Sequence, residues 1–215
     1  MMLVTGLEFS GTSLVAGLLH HLGLDMGAIE TPAQLQRLQA AWQHQQCEGA
    51  LRAYRSYECQ RFQAAAMPLL LQSSCENRYH AQALGTLLER YSDTRPHGGG
   101  LKSTLLLFLA WWEGLERLDA RWIVTQRGLD AVAASGAKYC GLTSPAALWA
   151  AQVRGVQQLA RQRLLARLAQ HPVLVLDFDD LRRAPRVAID SLAHFCDLAP
   201  TASQTAAAEG FVRKE

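Results

Sequence analysis

Ten residues near the start of the chain, Val4-Thr5-Gly6-Leu7-Glu8-Phe9-Ser10-Gly11-Thr12-Ser13, carry the frame of a phosphate-binding loop. Gly6 and Gly11 are separated by four residues, and Ser13 adds a hydroxyl beyond the second glycine. That spacing lets the backbone N–H groups of Phe9, Ser10, Gly11, Thr12 and Ser13 point into one concavity, to which a following helix adds its positive N-terminal end. The chemistry on offer is the holding of a phosphate-like anion. In the nucleotide triphosphatase form a lysine follows the second glycine and reaches the β- and γ-phosphates, whereas Thr12 stands there in this chain,. Hydrolysis or transfer of a γ-phosphate is disfavoured accordingly. An ordinary strand-to-helix turn with Ser10 or Thr12 as the N-cap would use the same residues without binding anything.

A second group suited to an anion is Arg127, at the end of the apolar run Ile123-Val124-Thr125-Gln126, with Ser135 eight positions on. The guanidinium offers a fork of donors that suits a phosphate.

Val4 through Gly27 resembles the opening of the sulfotransferase family that uses 3′-phosphoadenosine-5′-phosphosulfate (PAPS). The 5′-phosphosulfate loop of that family reads S-G-T-[ST] before a helix, in a P-loop fold that lacks the P-loop lysine. Two further blocks arrive in the family's order. Ile123 to Arg127 followed by Leu129 to Ser135 is similar to its 3′-phosphate motif, with Leu129 where the family usually has proline. Leu176-Asp177-Phe178-Asp179-Asp180-Leu181, with Pro185, Leu192, Phe195 and Leu198, resembles its late strand and helix, whose role there is largely architectural.

The resemblance implies sulfuryl transfer from PAPS, as co-substrate and without a metal, to a hydroxyl or amine of a small-molecule or glycan acceptor. It implies that the backbone of Phe9 to Ser13 holds the 5′-phosphosulfate and that Arg127 and Ser135 hold the 3′-phosphate. Leu101-Lys102-Ser103-Thr104 resembles the family's second lysine motif, which makes Lys102 the cation beside the leaving group; the plain alternative is a solvated lysine at a helix start,. Glu58, in Ser56-Tyr57-Glu58-Cys59, matches a Tyr-Glu pair of related bacterial members and is the candidate base; the plain alternative is a surface carboxylate in the first turn of a helix,. Two positions depart from the family: Phe9 where a Lys or Arg is common, and Thr104 where the cytosolic branch carries a histidine base. Arg213-Lys214 is weakly similar to a late R-K-G contact, with Glu215 in place of the glycine. Two other readings stay open: a member of the same fold that binds a nucleotide or partner without catalysis, and a P-loop small-molecule kinase.

These groups need elements to position them. The first residues form a short apolar run, and about Thr12 to Leu24 places apolar residues at helical spacing, so strand, tight turn and helix are expected,. Strand patterns return at Arg121–Thr125 and Val173–Phe178, each a nearly continuous apolar run as for strands buried on both faces, with a shorter one at Gly100-Leu101,. Helical periodicity marks about Pro32 to Cys47, Tyr57 to Leu71, Tyr79 to Tyr91, Thr104 to Leu118, Leu129 to Lys138 and Arg186 to Cys196,. Strand-then-helix repetition predicts an α/β three-layer domain with a central parallel sheet. One P-loop-type domain over residues 1–215 is expected, with a helical acceptor-side region over 24–99 and a loosely held tail over 199–208.

Composition narrows the function classes. A chain of 215 residues is long enough for one sizeable core at about 150 residues per domain,. Hydrophobic residues at 49% and charged residues at 19% exclude a disordered or fibrous chain,. Lys and Arg number 21 against 19 Asp and Glu, so the net charge of +2 marks no nucleic-acid binder, and any anion must be held locally,. Five scattered cysteines without a C-x-x-C pair fit a reducing compartment, and the apolar run Leu101–Trp112 is too short to span a bilayer,. A soluble cytoplasmic protein is expected. The seven histidines lack H-x-x-x-H and H-E-x-x-H spacing, and no G-x-S-x-G elbow is present,. The tryptophans and the arginine-bearing helix around Arg154, Arg161, Arg163 and Arg167 are expected to be core and solvated face respectively,.

Overall fold

The computed structural model describes residues 1–26, 77–93, 99–140 and 144–214. Along the chain these form β1 (Met2–Gly6), α1 (Thr12–His21), α2 (Asn77–Asp93), β2 (Gly100–Lys102), β3 (Arg121–Gln126), α3 (Leu129–Cys140) and α4 (Ser144–Arg167). After them come β4 (Val173–Asp177), α5 (Phe178–Arg183), α6 (Pro185–Phe195) and α7 (Ala202–Lys214). The expected helices at 32–47 and 57–71 lie outside the described residues.

The four strands make one parallel sheet in the order β2-β1-β3-β4. Leu3 stands beside Leu101 and Trp122, and Val4 beside Lys102 and Ile123. Because successive side chains in a strand point to opposite faces, β1 feeds two cores at once. Met2, Val4 and Ile123 join one core with α1, α6 and α7. Leu3, Leu101 and Trp122 join the other, with α2, α4 and the 3-10 helix Thr104–Trp111. Double coverage is the reason β1 and β3 read as unbroken apolar runs. β4 departs from that expectation: it is an edge strand among the described residues, half-buried along its length, with Val175 exposed.

The helix that follows β1 packs on one face of the sheet, whereas α4, which follows β3, packs on the other. Adjacent parallel strands whose connections leave toward opposite faces open a crevice beyond their carboxyl ends, where α/β folds bind ligands. The phosphate-loop residues and Arg127 both lie at that end of the sheet.

Two elements differ from expectation. Thr104–Trp111 and Leu115–Arg117 are 3-10 helices rather than one α-helix. Leu105 to Trp112 is apolar at every position, so no polar face fixes a 3.6-residue period,. The chain instead takes tighter bonds, such as Trp112 N–H to the Leu109 carbonyl at 2.9 Å,. The tail is not loose: Thr201 and Gln204 form a reciprocal capping box, with backbone-to-side-chain bonds of 2.8 and 3.2 Å, and α7 then buries Ala208, Phe211 and Val212,. Trp112 and Trp122 are core residues, as expected.

Candidate functional site

Residues Leu7 to Gly11 turn the chain from β1 into α1. The Leu7 carbonyl accepts from both the N–H of Ser10, at 3.1 Å, and its Oγ, at 2.6 Å. Ser10 Oγ also lies 2.7 Å from Thr125 Oγ1 on the neighbouring strand, which ties the turn to β3. Both glycines are required by shape. A Cβ on Gly6 would overlap Thr125, and one on Gly11, whose φ is 94°, would enter the ring of Phe178. Phe9 also takes a left-handed conformation, φ 62°, at a cost of about 1 kcal/mol for a residue with a Cβ,. Such strain persists only where surrounding bonds over-determine the backbone, as they do here.

The N-cap of α1 is Gly11, and no side chain caps the helix. The plain alternative, a turn in which Ser10 or Thr12 serves as the N-cap, is therefore not what this turn adopts. Ser10 instead spends its hydroxyl beneath the loop, where it is fully buried, and Thr12 is buried at the first helical position. Gly11 brings no side-chain oxygen to the positive end of α1 at the mouth of the crevice, an arrangement that suits an external anion,.

Arg127 follows β3 and reaches back to the loop: its Nη1 donates to the Phe9 carbonyl at 3.3 Å. Its guanidinium carbon lies 4.1 Å from the centroid of the Phe178 ring, the same ring that packs against Gly11. Phe178 thus supports both the loop and the arginine, beyond the architectural role expected of its block. Arg127 Nε is buried and has no hydrogen-bond partner among the described residues; Asp179 Oδ1 stands 3.9 Å away. A buried donor without an acceptor at the mouth of the crevice fits a phosphate oxygen.

Lys102 ends β2 and is wholly buried, with a relative exposure of 0%. The reading of a solvated lysine at a helix start is therefore wrong: register with Val4 fixes Lys102 on the α1 face of the sheet. Ser103 caps the following 3-10 helix by accepting from the Leu105 N–H at 3.2 Å, and Thr104 is buried. Ser135 is partly exposed in α3, and the rise of 1.5 Å per residue puts it about 9 Å along the axis from Leu129,. Glu58 lies outside the described residues.

Three contributors were not singled out from the sequence: Thr125, Phe178 and Gln157. Gln157 is buried in α4, and its Oε1 accepts from the Glu8 N–H at 3.1 Å, holding the outer side of the loop. The signal for it was a polar residue in the buried stripe shared with Ala160, Leu164 and Leu168. The arginines of α4 are likewise more than a solvated face. Arg163 Nε donates to the Ala110 carbonyl at 3.2 Å, while Arg167 Nη1 donates to Ala110 and Trp112 at 3.2 and 2.5 Å and pairs with Glu116. Among the described residues no cluster of His, Cys, Asp and Glu could hold a metal ion, and no helix is long and apolar enough to cross a membrane.

No protein-family model and no curated protein matches the chain. Among solved structures, it is similar to the crystal structure of the sulfotransferase STF1 from Mycobacterium tuberculosis H37Rv. The TM-score is 0.53, with 17% identity, over 97% of this chain and 70% of that one. The chain has the α/β fold of that sulfotransferase, with its central parallel sheet flanked by helices.

Proposed function

We propose that the protein is a PAPS-dependent sulfotransferase acting on a hydroxyl or amine of a small-molecule or glycan acceptor. The observation that carries the reading is the glycine-framed loop at the start of α1, whose N-cap Gly11 brings no side-chain oxygen, beside the buried Nε of Arg127, which has no hydrogen-bond partner among the described residues. The fold shared with a sulfotransferase supports it. Loop amides and a guanidinium gathered on one crevice suit a ligand rich in anionic groups.

In this reading the loop from Phe9 to Ser13 and the α1 dipole hold the 5′-phosphosulfate, and Arg127 with Ser135 holds the 3′-phosphate. The bound co-substrate supplies the sulfuryl group. The acceptor oxygen or nitrogen bonds to sulfur, the bond from sulfur to the bridging phosphate oxygen breaks, and the acceptor proton passes to a base, for which Glu58 is proposed. Lys102 stands on the strand next to β1, and its buried ammonium is proposed to stabilise charge on the departing phosphate, where low dielectric strengthens the interaction,. It would thereby replace the cation that Phe9 does not provide.

The test is release of 3′-phosphoadenosine-5′-phosphate from PAPS in the presence of a panel of phenols, alcohols, sugars and amines. Acceptor-dependent release that falls by about 100-fold or more in Lys102→Met, with bisphosphate binding retained, is the expected result. The phenylalanine at position 9 favours a second reading, a binding protein without transfer. Tight bisphosphate binding without release for any acceptor, and transfer gained in Phe9→Lys, would establish that reading instead.

A further inference from the structure

We propose that Asp179 is a resident competitor for the anion-binding edge of Arg127 and thereby sets the affinity of the crevice for a ligand's second phosphate. The proposal rests on the co-substrate reading above. Arg127 is held on two sides: Nη1 is bonded to the Phe9 carbonyl, and the guanidinium face lies on Phe178. The edge that carries Nε, which has no hydrogen-bond partner among the described residues, is the one suited to an oxyanion,. Asp179 Oδ1 stands 3.9 Å from Nε, inside ion-pair range yet too far for a hydrogen bond,.

The neighbouring carboxylates are committed elsewhere. Asp177 Oδ1 accepts from the N–H groups of Asp179 and Asp180, at 2.9 and 3.2 Å, and Asp180 pairs with Arg183 at 2.7 Å. Asp179 alone of the three is directed at Arg127. Its backbone is pinned by the Asp177 bond, while its side chain is 56% exposed and can turn into water when an oxyanion arrives. A carboxylate and a phosphate carry the same sign and seek the same donors, so the second must displace or repel the first. A ligand that occupies only the loop makes no demand on that edge and should not sense Asp179.

The experiment is calorimetric titration with 3′-phosphoadenosine-5′-phosphate and with adenosine 5′-phosphate. The proteins are wild type, Asp179→Asn, Arg127→Gln and the double variant, at one salt concentration. Asp179→Asn is expected to tighten the bisphosphate by about three- to fivefold, the scale of an exposed ion pair, and to leave the monophosphate unchanged. On the Arg127→Gln background it should alter neither ligand. Unchanged or weaker bisphosphate binding in Asp179→Asn would overturn the proposal, since Asp179 would then merely steady Arg127. An equal gain for both ligands would also overturn it, as a general charge effect. A wild-type protein that binds neither ligand would overturn the co-substrate reading itself, and this proposal with it.

Discussion

Gly11 combines a left-handed backbone with a ring where its side chain would be, so it tolerates no substitution without moving Phe178. Gly11→Ala is expected to cost about 1–2 kcal/mol of stability in urea unfolding and to weaken bisphosphate binding at least about tenfold, because the loop N–H groups lose alignment. Wild-type affinity in that variant would contradict the role of the loop. Cys196 gives a second residue-level prediction. Burial pushes its thiol from 9.0 up to about 12, with Arg121 pulling weakly the other way. The native state keeps a proton that the unfolded state releases, so stability should fall as pH rises above about 9 and stop falling near 12,. Cys196→Ala should lose less stability than wild type over that window, and native Cys196 should resist alkylation near neutral pH. Equal pH slopes for the two proteins would refute the assignment.

At the scale of elements, the site depends on helices that never touch a ligand. Arg167 of α4 closes the carbonyl end of the 3-10 helix at Ala110 and Trp112, and Arg167→Ala should cost about 2–3 kcal/mol by leaving those acceptors short of a charged donor,. Phe211 locks α7 against the core that carries α1, and Phe211→Ala should cost about 3 kcal/mol,. Urea midpoints read both. The strands and α1 were legible because alternate residues of β1 feed two cores, which leaves an unbroken apolar run with turn residues behind it. The 3-10 helix was not, because Leu105 to Trp112 offers no polar face to reveal a period. The α4 arginines carried charge that sequence could count, but their acceptors are carbonyls more than 40 residues away, with Arg167 separated from Ala110 by 57 positions.

At the scale of the molecule, the site exists because β1 and β3 lie side by side and send their helices to opposite faces. That brings Phe9 within reach of Arg127, 118 positions along the chain. Neighbouring strands are a property of topology, so the loop and the arginine could each be picked out by local pattern while their bond could not. The contacts of Phe178 and Gln157 could not be read for the same reason: each meets the loop from a distant element. The departures at Phe9 and Thr104 were visible in the sequence, whereas the full burial of Lys102 was not.

The central claim is that this crevice is built for a bisphosphorylated nucleotide. The most direct measurement is calorimetric titration of wild type and Arg127→Ala with 3′-phosphoadenosine-5′-phosphate and, separately, with ATP and Mg²⁺. The account predicts one bisphosphate per chain, bound in preference to ATP, with a loss of about 1.5–3 kcal/mol in Arg127→Ala. No binding of the bisphosphate, or a preference for ATP with Mg²⁺, would contradict it.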